Sequence, residues 1–271
     1  MISHGESFGE QDGNSVTVRV DGVSGTIIMN RVPARNAISR SMLAQLHQAL
    51  DDLHQEKRVR GVIVTGAGEA FSSGSDLSEI KSSMNDDDVQ SKWFEDCTYQ
   101  KELIEKILRF PKPVIAAVNG PALGLGAAIV LAADIVIGTE SATLGFPETQ
   151  RGLVPGIAAP LLAFRLGCSA AADFLLRPDF ATAAECIDMG IYRAMVGADL
   201  VWAKADAISR DLAQTDPTAI SMTKRLLNES VGEQLFMQLA AGAAATAAAR
   251  TTEAAEEGID AFLEKREPNW P

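Results

Sequence analysis

The chain has 271 residues, 46% hydrophobic and 22% charged, which fits one large folded unit or one such unit with a helical appendage. A formal net charge of −12 argues against nucleic acid or anionic lipid as a partner, and no uncharged apolar run is long enough to span a bilayer. Cys97, Cys168 and Cys186 match neither a disulfide framework nor a zinc motif and read as reduced packing residues.

Residues 1–14 lack both a basic start and an apolar stretch, so a flexible tail is expected there, not a secretory signal, and cytoplasmic residence follows. Alternation in SVTVRVDG and GTIIMN predicts two short strands joined as a hairpin at 22–25. Arg31 and Arg35, in NRVPARNAIS, are candidates for holding an anionic ligand, with solvated surface arginines as the equal alternative. From Ser39 onward, Met42, Leu43, Leu46, Ala49, Leu50 and Leu53 recur at helical spacing and predict an amphipathic helix. The β-branched run VRGVIVTGAG predicts a strand buried on both faces.

FSSGSDLSEI reads as a turn with outward amides entering a helix, Asp76 being its N-cap and Glu79 completing a capping box. The cap accounts for the Asp76 carboxylate and leaves the Ser75 amide as the functional group. The polar stretch at 81–93 predicts a mobile surface segment, a solvated connection or a gating loop, ahead of a helix carrying Tyr99 to Leu108. VIAAV, the glycine-rich GPALGLGAAIVLAAD and DIVIGTE repeat the order strand, helix, strand and imply parallel pairing. A glycine-rich helix start can offer N–H groups to a developing oxyanion, and Glu148 in GFPE adds a carboxylate that can move a proton. Beyond about Pro155 the chain is alanine-rich and mostly helical, with a possible strand near 192–196, and reads as a docking and oligomerisation layer.

Rival chemistries fit less well. GLGAAI is an incomplete dinucleotide fingerprint, because Ile129 stands at the third glycine position. Ser72, Ser73 and Ser75 do not form G-x-S-x-G, and the histidines, His4, His47 and His54, lie in the tail and on the early helix. Two histidines without further ligands make no metal site, so no metal is expected.

In order along nearly the whole chain, NRVPARNAIS, GVIVTGAGEAFSSGSDL, KPVIAAVNGPALGLGAAIVLAADIVIG, LGFPETQRGLVPG and EGIDAFLEKREPNW resemble the enoyl-CoA hydratase/isomerase family, the crotonase superfamily. The resemblance implies an α/β fold, a crotonase-like spiral of β-β-α repeats packed as two nearly perpendicular sheets. On that pattern the core runs over 15–200 and a helical C-terminal region over 201–271 builds trimers, often paired into hexamers. It also implies an acyl-CoA thioester as ligand, with coenzyme A part of the substrate and no separate cofactor. The oxyanion-hole amides fall on Ser75 and Leu125, the second departing from the glycine common there. Ser73, Gly74, Asp76, Leu77 and Gly124 fall among the substrate-binding positions, and Arg31 and Arg35 fall near the nucleotide end of CoA.

Family hydratases carry two glutamates, and their positions here hold Ala128 and Glu148. Hydration asks for one group to activate water and another to manage the α-proton, whereas a double-bond shift can run through one carboxylate. The expectation is therefore an isomerase in which Glu148 takes a proton from the α carbon and returns it at the γ carbon. Alternatives are a hydratase with an unidentified partner for Glu148, another crotonase-type thioester or carbon-carbon hydrolase or decarboxylase, and a non-catalytic acyl-CoA-binding protein. Leu144, Phe146 and Pro147 predict apolar surroundings that raise the pKa of Glu148.

Overall fold

A computed structural model describes residues 14–271 except 85, 178 and 231. Of the expected N-terminal tail, all but Asn14 lies outside the described residues. Strands β1 (Val16–Asp21) and β2 (Ser24–Met29) form the antiparallel hairpin, with Val16 opposite Met29. Helix α1 (Arg40–Gln55) starts where the Ser39 hydroxyl accepts from the Met42 amide, and all six of its periodic apolar residues are buried. Strand β3 (Gly61–Gly66) lies parallel to β2. Its Val62 and Val64 enter the main core while Ile63 faces a second apolar cluster, the two-sided burial that its β-branched run requires.

The 81–93 stretch differs from expectation, because most of it is helical. Helix α2 (Leu77–Ser83) is followed closely by α3 (Val89–Arg109). Trp93 explains this: it is buried with Ile80, Leu153 and Ile259, and its indole N–H donates to the Ser83 hydroxyl at 3.0 Å. A few apolar anchors thus hold a polar-rich segment in place. The capping box is also incomplete. Asp76 caps α2 by accepting from the Ser78 and Glu79 amides, but the Glu79 carboxylate accepts from the Arg40 amide at 2.8 Å instead of closing back on the cap.

Next come β4 (Val114–Val118), β5 (Ala122–Leu123) and α4 (Leu125–Ala132), then β6 (Ile135–Thr139), β7 (Thr143–Gly145) and α5 (Ala158–Leu166). Each turn of this spiral lays one strand in each of two sheets and then a helix. Helix α6 (Cys168–Leu176), β8 (Ala181–Thr182), α7 (Ala183–Asp188) and β9 (Ala194–Val196) complete the α/β part. The larger sheet has the order β1-β2-β3-β4-β6-β9, parallel after the hairpin, and the smaller one the order β5-β7-β8. Cys97 and Cys186 are packing residues, whereas Cys168 is exposed at the start of α6.

The remaining helices are α8 (Val201–Leu212), α9 (Pro217–Arg225), α10 (Glu233–Ala249) and α11 (Glu253–Glu264). Val201 and Ala205 of α8 cover Ile63, Ile115 and Ile137 on the outer face of the large sheet. Helix α10 packs along α3, and α11 packs on α2. Lys224 of α9 is 6% exposed and ties that helix to the core, its ammonium donating to Asp134 at 2.6 Å and to the carbonyls of Ile107 and Lys112.

Candidate active site

Backbone pairing brings three distant segments together. Ser72 pairs in parallel with Ala122, and the Leu123 amide donates to the Ser72 carbonyl at 2.8 Å. Strand β5 pairs with β7, and the Gly124 amide donates to the Gly145 carbonyl at 2.9 Å, three residues before Glu148. The turn at 72–75, the start of α4 and Glu148 therefore lie side by side. Glycine makes the approach possible: a Cβ on Gly74 would lie 2.9 Å from the Leu123 carbonyl oxygen and 3.4 Å from the Leu125 nitrogen. A Cβ on Gly124, where φ is +52°, would lie 2.8 Å from Oε1 of Glu148.

Local backbone geometry leaves the two expected amides without an acceptor among the described residues. Ile38 brackets Ser75 in a parallel bridge, donating to the Gly74 carbonyl and accepting from the Asp76 amide, which leaves the N–H of Ser75 directed to the other side. Leu125 is the first residue of α4, whose amides cannot be met within the helix. Among the described residues neither amide has a hydrogen-bond partner, and both residues line a cavity of about 650 Å³. The Leu125 residue is 5% exposed and its side chain joins the main core, so a leucine is accommodated at this position.

Glu148 lies on the same cavity wall, at the entry to the short 3-10 turn Thr149–Arg151. Its Oε2 is buried with no hydrogen-bond partner among the described residues. Burial among apolar neighbours pushes its pKa up to about 7, opposed by its own backbone amide and by the Arg151 charge. Leu144 and Phe146 on the preceding strand and turn are fully buried. Near neutral pH both protonation states of Glu148 are populated, as an acid/base group that takes and returns a proton needs. Ala128 of α4 also faces the cavity, so an apolar methyl stands where a second carboxylate was sought.

The other expected positions divide. Gly74, Ser73, Asp76, Leu77 and Gly124 line the cavity. The Ser73 hydroxyl donates to the Ala34 carbonyl at 3.2 Å, and Asp76 accepts from Arg31 at 2.9 Å besides capping α2. Arg31 is occupied by that ion pair and by the Ala37 carbonyl, and it does not line the cavity. Arg35 does, exposed beside Pro33 and Ala34. His47 stacks on Tyr99 and His54 meets the edge of Phe110, both away from the cavity.

Several lining residues carried weaker signals in the sequence. Arg151 follows Glu148 by three positions and lies over the Phe262 ring at 4.3 Å. Lys265 lies in the terminal motif EGIDAFLEKREPNW. Gln100 and Arg250 come from α3 and the end of α10; Arg250 is the single charged residue between Glu233 and Glu253. No group of three or more potential metal ligands occurs among the described residues, and no helix among them is long and apolar enough to cross a membrane.

Comparisons with known proteins bear on the family and the fold. A family model described as enoyl-CoA hydratase/isomerase matches residues 22–271. The chain is 31% identical to the 2,3-dehydroadipyl-CoA hydratase of Escherichia coli, over 90% of this chain and 93% of that one. It is 29% identical to the short-chain-enoyl-CoA hydratase of Clostridium acetobutylicum, over 94% of this chain and 97% of that one. A crystal structure of an enoyl-CoA hydratase/isomerase from Xanthobacter autotrophicus Py2 superposes with a TM-score of 0.85 at 28% identity, covering 92% of this chain and 93% of the other. Motif order, the two-sheet spiral and a family match spanning all but the first strand and the residues before it place this chain in the enoyl-CoA hydratase/isomerase family, with the crotonase fold.

Proposed function

We propose that this enzyme shifts the double bond of a 3-enoyl-CoA to the 2-position through a thioester enolate. The Glu148 carboxylate removes a proton from the α carbon, and the electron pair of that C–H bond moves into the conjugated dienolate. The Ser75 and Leu125 amides hold the negative charge that develops on the thioester oxygen. Protonated Glu148 then delivers the same proton to the γ carbon, so no atom is gained or lost. The supporting observation is that Glu148 is the one cavity-lining carboxylate, among the described residues, with an oxygen that is buried and unpartnered. Asp76, the other carboxylate on the wall, is committed to its helix cap and to Arg31.

Incubation with 3-enoyl-CoA and 2-enoyl-CoA separately, followed by mass and absorbance, tests this reading. The expected outcome is conversion of the 3-enoyl thioester to its conjugated isomer without mass change. A gain of one water by the 2-enoyl thioester would assign hydration instead, with Glu148 activating the water. The names of the curated relatives favour that second reading. Tight binding of both thioesters without turnover would overturn catalysis altogether.

Exposed apolar residues on the α9 to α10 side, Met222, Leu226, Leu227 and Met237, each more than 60% accessible, support assembly into a trimer or a dimer of trimers. Sedimentation at the mass of a single chain, at micromolar concentration, would overturn this assembly.

A further inference from the structure

Arg250 ends α10 after its alanine-rich run and is 3% exposed. A guanidinium taken out of water is costly unless its donors are met. Here Nε and Nη1 are buried without an acceptor among the described residues. The carboxylate facing it, Asp96, lies 3.8 Å from Nη1 and is already gripped at two points by Arg40, each at 2.7 Å. Of the two further carboxylates of the same small recess, Glu79 is taken up by the Arg40 amide and Asp76 by its helix cap and Arg31. Arg250 nevertheless lines the main cavity, next to Gln100, which is 8% exposed and for whose side-chain amide no partner occurs among the described residues. The exposed cations Arg35 and Lys265 lie at the open rim, whereas Arg250 and Gln100 are enclosed, and the recess they share also includes Ser75 of the oxyanion hole.

We propose that Arg250, assisted by Gln100, determines specificity by binding a carboxylate at the distal end of the acyl chain, so that the preferred substrates are CoA thioesters of dicarboxylic acids. The proposal rests on the acyl-CoA reading above and adds the character of the acyl group. A guanidinium presents parallel N–H donors that match a carboxylate at two points. A methyl-ended chain would cover those donors without satisfying them, and sites built to hydrogen-bond a polar group discriminate strongly against analogues that lack it.

The test uses the full chain and saturated thioesters, so it reads binding independently of the reaction. Butanoyl-, pentanoyl- and hexanoyl-CoA are compared with succinyl-, glutaryl- and adipoyl-CoA by calorimetric titration. In at least one equal-length pair the dicarboxylate is expected to bind at least about tenfold tighter, and Arg250→Met is expected to bring that ratio to one or below. Gln100→Leu, which leaves the arginine in place, is expected to narrow the ratio by a smaller factor and serves if the arginine variant does not fold. Binding of the methyl-ended thioesters with no preference for any dicarboxylate overturns this inference and leaves the acyl-CoA function standing. A preference that survives intact in folded Arg250→Met also overturns it. Failure of every thioester to bind overturns both.

Discussion

Lys224 and Glu148 are both buried charged groups, and their surroundings differ in kind. At the base of α9, the Lys224 ammonium donates to three acceptors, one carboxylate and two carbonyls, within 3.3 Å. Burial pulls its pKa down while Asp134 pulls it back up. In the cavity, Glu148 has an oxygen with no partner, and burial dominates its titration. The first arrangement is closed and has nothing left to offer a ligand. The second keeps an unfilled valence in an apolar wall, and the fold tolerates its cost where chemistry is available.

Substitutions at these two positions should separate the two kinds of burial. Glu148→Gln keeps shape and removes the base, so turnover should fall by at least about a thousandfold while acyl-CoA still binds; full activity would break the contrast. Lys224→Ala should leave the partly exposed Asp134 carboxylate and the Ile107 and Lys112 carbonyls without their ammonium donor, and cost about 2–3 kcal/mol in urea unfolding. A loss below about 1 kcal/mol would show that the network is not structural.

Glu148→Gln should act on stability with the opposite sign. Because the folded-state pKa is raised from the ordinary glutamate value to about 7, the folded protein holds a proton that the unfolded chain releases. That contribution is full below the ordinary value and is lost as pH rises through about 7. A shift of this size corresponds to about 3 kcal/mol, an order-of-magnitude figure. Thermal unfolding from pH 5 to pH 8 should therefore destabilise the wild type relative to the glutamine variant. Parallel curves for the two proteins would refute the buried titration.

What could be read from the sequence followed from how local each cause was. Helix α1 declares itself through Ser39 and its apolar spacing, and β3 through an unbroken β-branched run. The start of α4 and Glu148 fall within one short stretch tied by β5 and β7, so the motif alone points to them. The helical state of 81–93 depends on Trp93 meeting Leu153 and Ile259 from far along the chain. Arg31 loses its apparent freedom to Asp76, and Glu79 is drawn from its cap to Arg40, through contacts that no local pattern encodes. Arg250 reaches the cavity because α10 lies along α3, and an alanine-rich run gives no hint of which side its final charge will face.

The donors proposed for the oxyanion, at Ser75 and Leu125, belong to the main chain, so almost any change of side chain there leaves the N–H groups behind, proline excepted. On that reading, side-chain substitution would spare these donors, while the chemistry of the side chains around them, Ala128, Gln100 and Arg250 among them, would change with every substitution. Such a division lets a lineage exchange one acyl group or one proton-transfer scheme for another without passing through an ancestor that has lost its grip on the thioester.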